Sequence, residues 1–344
     1  MRQRYVDALC GELAMRRGEL REPLHTVYLG GGTPSQLTSS QLRQLFRAVE
    51  THYGRLSDDT EVTMECNPDD VTPELAALLA SLPVNRVSMG VQTFSDERLR
   101  FLHRRHTALQ AHLAVERLRQ AGIGNISIDL MFGFPGQTLD QWQADITEAL
   151  GLQVEHLSAY SLMYEEGTPL YNLLQRGEIR EIDEELSLRM YDALCDHLTA
   201  SGYEHYEISN FALPHRRSRH NSSYWQGVPY LGVGAAAHSY DVDTRSWNVS
   251  DVKTYVSALE QDIRPCESER IDDDTRYDDT VTTALRTREG IDLHGLLPRH
   301  RSYLLRAAGP YLERGQLQLD GSRIRLTRQG IYISDSIMAD LMYV

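Results

Sequence analysis

Lysine is almost missing from this chain of 344 residues: Lys253 is the only one, so nearly all the positive charge is arginine. A lysine Schiff base is thereby excluded almost everywhere. Cysteine is scarce and scattered. Cys10, Cys66, Cys195 and Cys266 stand far apart, and no Cys-x2-Cys or similar cluster can be written from them. That excludes a local zinc or iron–sulfur motif, and each thiol reads as free in a reducing compartment. No apolar run is long enough to span a membrane. The opening MRQRYVDALCGELAMRRGEL shows helical periodicity through Tyr5, Leu9 and Leu13, and lacks the apolar block and cleavage site of a signal peptide. The expectation is a cytoplasmic protein without a membrane span. A net charge of −14 argues against a general nucleic-acid surface, so no nucleic-acid partner is expected.

What is present is enough chain for a large core and two domains. Strand-like segments at 26–29, 61–65, 86–91, 126–131, 156–163 and 203–208 alternate with helical ones at 39–53, 73–81, 109–121, 139–152 and 184–201. Alternation of this kind predicts crossover units and a parallel sheet, an α/β fold that is open or barrel-like. Thr72-Pro73 supplies an N-cap with proline at the first helical position, and Gly122 sits where a helix would end. After about residue 210 the pattern changes. Residues 211–247 are rich in Gly, Ser, His, Tyr and Pro; helical stretches follow at 252–261, 279–286, 300–314 and 334–342. The acidic run Asp272-Asp273-Asp274 reads as a solvated helix entry. LQLDGSRIRLT reads as a hairpin turning at Asp320-Gly321, so the last seventy or so residues form a small helical, winged-helix-like unit. The expected division is 1–210, 211–270 and 271–344.

The densest signal is HTVYLGGGTPS at 25–35, a short strand emptying into Gly30-Gly31-Gly32. Glycines there let a ligand approach the main chain, although a tight strand-to-helix turn would use them equally. Reactive side chains of parallel α/β folds sit at the C-terminal ends of strands. Tested in this way, the strands end in Glu65, Cys66 and Asn67; in Gln92; in a segment carrying Asp129; in Tyr160 and Ser161; and in Glu207, Ser209 and Asn210. Alternation turns Cys66 away from that rim. Glu65 and Asp129 suit an ammonium group or ribose hydroxyls, Gln92 both donates and accepts, and Arg104 can grip a carboxylate. The set matches the polar ends of an amino-acid-bearing nucleoside such as S-adenosylmethionine. Further on, His220 offers an imidazole to iron, and Tyr224 and Trp225 offer flat faces to a macrocycle. Arg216, Arg217 and Arg219 could pair with propionates. The same stretch also reads as a solvated basic loop with a core tryptophan. His238 is a second ligand candidate and reads more simply as a packed or hydrogen-bonded histidine.

Taken in order, YLGGGTPS, ECNPDD, SMGVQTF, residues 102–107, IDLMFGFPGQT, EEGTPLY, YEHYEISNFA, HNSSYW and LTRQGIYISDSIMADLM resemble the radical S-adenosylmethionine superfamily. More narrowly they resemble the oxygen-independent coproporphyrinogen III oxidase-like group and its HemW-type haem-chaperone branch. The resemblance implies a partial (β/α)6 barrel with a C-terminal helical domain. It implies that Gly31, Gly32, Thr33, Glu65, Gln92, Arg104 and Asp129 hold S-adenosylmethionine. It implies that His220, Asn221, Tyr224 and Trp225 hold haem, with His220 as the iron ligand, and that a haem-acceptor protein, a respiratory one among the candidates, is the partner; homodimerisation stays open. The alternative within the group is the oxidase itself. His103 departs from the usual glycine before Arg104, and Ala235-Ala236-Ala237 replaces a glycine-rich stretch. The group's Cys-x3-Cys-x2-Cys loop for a [4Fe–4S] cluster, and the first barrel strand before it, have no counterpart here. The expectation is an N-terminally shortened form, with an unpaired sheet edge and no route to radical generation.

Overall fold

The computed structural model describes residues 1–20 and 22–343. The chain divides into two compact units: Met1–Val27, Leu37–Glu61 and Arg219–Val344 form one, and Tyr28–Gln36 with Val62–Ser218 form the other.

The second unit is built on a seven-stranded sheet. Its strands are β1 (Thr26–Leu29), β2 (Glu61–Cys66), β3 (Arg86–Gln92), β4 (Ile126–Phe132), β5 (His156–Ser161), β6 (Glu204–Glu207) and β7 (Asn210–Ala212), in the order β1-β2-β3-β4-β5-β7-β6. Strands β2 to β5 run parallel, with Glu65 opposite Ser88, Gly90 opposite Asp129 and Asp129 opposite Ser158. Side chains alternate across the sheet. One face buries Met64, Val87, Met89, Ile126, Ile128 and Leu157; the other buries Thr63, Arg86, Ser127 and His156. Polar groups buried on such a face call for partners, and all but the Thr63 hydroxyl among these four side chains have one. His156 meets the Ser127 hydroxyl at 2.7 Å through Nδ1 and the Tyr206 hydroxyl at 2.7 Å through Nε2. Burial, with the Arg86 charge adding to it, holds this imidazole neutral, well below its usual pKa. Around the sheet, Thr72 caps helix Pro73–Ala80 by accepting from Leu75 N at 3.2 Å. The Trp142 indole of helix Leu139–Gly151 donates to Met190 O of helix Glu184–Ala200 at 2.8 Å.

The expected sixth parallel strand is instead a hairpin. β7 pairs antiparallel with both β5 and β6. Glu207 closes the turn by accepting from the Ser209 N–H at 3.0 Å and from the Asn210 amide. Glu207 and Asn210 are therefore buried and mutually satisfied, not members of a rim.

In the other unit, helix Ser39–Tyr53 begins with a capping box in which Thr38 and Gln41 bond reciprocally. The stretch after residue 210 is not without structure: it contains helix Arg219–Trp225 and strands β8 (His238–Tyr240) and β9 (Thr244–Asn248), to which β10 (Cys266–Arg270) adds an antiparallel edge. The acidic run is a helix entry as expected, but the helix spans Asp273–Ala284 and so starts earlier, because the Asp272 carboxylate caps it by accepting from Thr275 N at 2.8 Å. Helices Pro298–Glu313 and Ser334–Leu341 pack with it over Tyr277, Val281, Leu304, Ile324, Ile337 and Leu341. Strand β11 (Ile291–Asp292) joins the hairpin of β12 (Leu317–Asp320) and β13 (Arg323–Leu326). The hairpin turns at Gly321-Ser322, one residue later than expected.

Candidate functional site

The triple-glycine turn and Glu65 form one unit of structure. The Tyr28 hydroxyl donates to Glu65 Oε1 at 2.6 Å, and the Gly31 N–H donates to Oε2 at 3.2 Å. Gly31 and Gly32 adopt φ of +74° and +62° and face open space. Gly30 is fixed by close approach: a Cβ there would lie 2.4 Å from the Tyr28 ring and 2.9 Å from the Glu65 carboxylate. Ser35 and Gln36 each donate to Asp70 at 2.6 Å, which ties down the far side of the loop. Burial and the adjacent Glu65 raise the Tyr28 pKa far beyond the normal phenol range, so its hydroxyl remains a donor. Thr33 is exposed at the loop tip.

The next strand end gathers Gln92 and Arg104. Strand β3 shifts register against β4 between Gly90 and Gln92, and Gln92 takes a left-handed φ of +70°. A β-branched or bulky residue would be strained there; Gln92 is held by the bulge that re-aims it. Arg104 donates to Gly90 O at 2.8 Å and to Asn67 Oδ1 at 2.9 Å. A Cβ on Gly90 would lie 2.7 Å from Gln92 Nε2 and 3.0 Å from Arg104 Nη2, so both side chains fold over this glycine. Asp129 is opposite Gly90 in the next strand. Desolvation, with the Glu65 charge adding to it, raises its pKa to about 6, against the pull of Ser158, Arg86 and Arg104. Gly31, Glu65, Gln92, Arg104 and Asp129 thus share one strand-end region. Two carboxyl groups, an amide, a guanidinium and exposed main chain can grip an amino acid and a diol together.

His103 explains one departure noted in the sequence. Helix Asp96–Phe101 ends with Arg104 N donating to Leu99 O at 2.9 Å, and His103 sits in the left-handed region with φ +53°. A glycine costs less there than a residue with a Cβ. His103→Gly is expected to stabilise the protein by about 0.5–1 kcal/mol. The check is a higher urea midpoint at unchanged slope; a lower midpoint refutes it. Ala236, at φ +60°, is the same case in the alanine triplet.

The HNSSYW motif lies on helix Arg219–Trp225. Its first turn is held by a residue the sequence reading passed over: the buried Glu61 carboxylate accepts from Arg219 N and His220 N, each at 2.9 Å. The His220 ring is held on both sides, Nδ1 by Thr26 Oγ1 at 2.9 Å and Nε2 by the Tyr224 hydroxyl at 2.7 Å. Burial lowers its pKa to about 4, so the ring is neutral at physiological pH. Tyr230 backs Tyr224 edge-on at 4.7 Å between ring centroids, and the Arg286 guanidinium lies 5.2 Å from the Trp225 ring centroid. The Trp225 indole N–H is buried without a hydrogen-bond partner. Asn221 is half-buried. Of the neighbouring arginines, Arg217 pairs with Glu204 at 2.9 Å over the Tyr206 ring, and Arg219 donates to Asp59 O. Arg216 is exposed. The His238 ring, exposed on β8, stacks on Trp247 at 6.0 Å between centroids.

Cys66 is buried, and desolvation pushes its thiol up to about 12. Cys10 lies on helix Arg2–Met15, Cys195 on helix Glu184–Ala200 and Cys266 on β10. No three His, Cys, Asp or Glu among the described residues gather as a metal site. All four cysteines are free thiols.

The family model of the radical SAM superfamily matches residues 7–149. The heme chaperone HemW of Bacillus subtilis (strain 168) is 35% identical over 346 residues, covering 97% of this chain and 89% of that protein. The heme chaperone HemW of Lactococcus lactis subsp. lactis is 35% identical over 320 residues, covering 92% and 84%. Among solved structures, coproporphyrinogen III oxidase (HemN) from Escherichia coli, described as a radical SAM enzyme, superposes with a TM-score of 0.83 at 21% identity. That match covers 99% of this chain and 83% of that one, and it shows the fold. No helix among the described residues is long and apolar enough to cross a membrane.

Proposed function

The chain belongs to the HemW family of the radical SAM superfamily, and from that premise we propose that it binds haem as cargo on the His220 helix and passes it to an acceptor protein in the cytoplasm, with S-adenosylmethionine held at the strand ends of the sheet. The observation that carries the reading is the state of His220: a neutral imidazole on a short helix beside Tyr224 and Trp225, oriented through Nδ1 by Thr26. A neutral ring needs no deprotonation before it can ligate iron. Fixing Nδ1 orients the ring and turns Nε2 to the Tyr224 hydroxyl; a bond of this kind to the other ring nitrogen is the usual way a protein aims a ligating histidine. The names of the curated relatives support a chaperone over an oxidase.

For S-adenosylmethionine the residues fit. Glu65 would take the ammonium group, the open N–H groups around Gly31 and Gly32 would take the methionine carboxylate with Thr33 at the tip, Gln92 and Asp129 would take ribose hydroxyls, and Arg104 would brace the carboxylate end. When bound, this cofactor supplies a sulfonium centre. This chain's residues bind and orient it.

The test is a haem titration of the full chain. Wild type is expected to give a Soret band distinct from free haem, and His220→Ala is expected to lose it. A wild-type spectrum identical to that of free haem would sink the proposal.

A further inference from the structure

We propose that Tyr224 is a removable cap on His220, occupying the nitrogen that haem iron would take and thereby keeping haem binding reversible. This rests on the haem-cargo reading and adds a residue that tunes it.

His220 and Tyr224 lie one helical turn apart, the spacing at which side chains meet. Their rings are edge-on, with centroids 5.0 Å apart at 81°, and the phenol oxygen is 2.7 Å from Nε2. Thr26 already holds Nδ1. Whichever ring nitrogen carries the proton, neither presents an open lone pair: one donates and the other accepts. Iron can bond to Nε2 only after the Tyr224 hydroxyl leaves it.

The two partners are held very unequally. His220 is fixed through its Nδ1 and through its main-chain N–H to Glu61 at 2.9 Å. Tyr224 is 36% exposed, and its ring makes edge-on contacts with Tyr230 and with His220 itself. Of the two, Tyr224 is the one able to turn away while the imidazole stays in place. The competitor for iron is the hydrogen bond. A carrier gains from this: when iron departs, the phenol returns to Nε2 and the ring is not left unsatisfied.

The test uses the full chain as wild type, Tyr224→Phe and His220→Ala, with haemin as the probe. Tyr224→Phe keeps the ring and its contact with Tyr230 and removes only the hydroxyl. It is expected to bind haemin about fivefold more tightly, the worth of one ordinary hydrogen bond, and to release it more slowly to an apoglobin acceptor. In the haem-free protein, the 15N resonance of His220 Nε2 is expected to move on the same substitution. Unchanged or weaker haemin binding by Tyr224→Phe, or an unmoved Nε2 resonance, would overturn the cap. Failure of the haem-cargo reading looks different: wild type and His220→Ala would then give the same spectrum, while the nitrogen resonance would still report whether the cap exists.

Discussion

Replacing Glu12 with alanine is expected to destabilise the protein by about 3–5 kcal/mol, the range for removing one partner of a buried charge network. Glu12 is fully buried on helix Arg2–Met15. Its Oε1 accepts from Asn248 Nδ2 at 2.8 Å and Arg16 Nη1 at 3.0 Å; its Oε2 accepts from the Tyr255 hydroxyl at 2.6 Å and Gly234 N at 3.0 Å. Arg264 stands 3.4 Å away. Arg16 is itself buried and would keep Glu19 at 2.7 Å and Gly232 O at 2.7 Å. Asn248, Tyr255 and the Gly234 N–H would lose an acceptor in a place water cannot reach, at about 1–3 kcal/mol each before relaxation. Tyr255→Phe removes one donor and leaves the carboxylate paired, so it is expected to cost about 1 kcal/mol. Urea unfolding of the full chain measures both. A loss below about 1 kcal/mol for Glu12→Ala would mean the network is not a structural hub.

The parallel part of the sheet was legible because each strand is a β-branched or apolar run ending in turn residues; β1 and helix Ser39–Tyr53 have the expected bounds. The hairpin of β6 and β7 was not, since its turn at Ile208-Ser209 has neither glycine nor proline and is closed by the Glu207 side chain. Helix Arg219–Trp225 is too short to show a period, and its first turn is satisfied by Glu61, 158 residues earlier in the chain. No local pattern could reveal such a cap. The strand-end rule found Glu65, Gln92 and Asp129 by residue type alone. It named Asn67, which accepts from Arg104 at 2.9 Å, and passed over Tyr28 and Thr26, whose roles come from what they touch. His103 and the triplet Ala235-Ala236-Ala237 stood out in the sequence; that His103 and Ala236 take left-handed backbone was visible only in the fold.

Glu65→Ala is expected to weaken S-adenosylmethionine binding about tenfold to a hundredfold, the worth of a hydrogen bond to a charged group. The carboxylate sits where the glycine turn opens, with Tyr28 and Gly31 each using one of its oxygens. Those two bonds leave lone pairs on both oxygens for an incoming ammonium group, so the residue is oriented without being used up. Tyr28→Phe leaves the charge and removes one orienting bond, and its effect should be smaller than that of Glu65→Ala. The change also has an electrostatic signature independent of the ligand. Glu65 raises the pKa of Asp129, which stands at about 6. Removing that negative charge makes the second carboxyl easier to ionise, so the midpoint for Asp129 should fall below about 6 in the variant. Calorimetry with S-adenosylmethionine reads the first effect and carbon NMR of the aspartate carboxyl reads the second. Affinity within twofold of wild type, with the Asp129 midpoint unmoved, would separate Glu65 from both the ligand and its neighbour. Absence of binding heat in wild type and variant alike would count against an S-adenosylmethionine site at these strand ends.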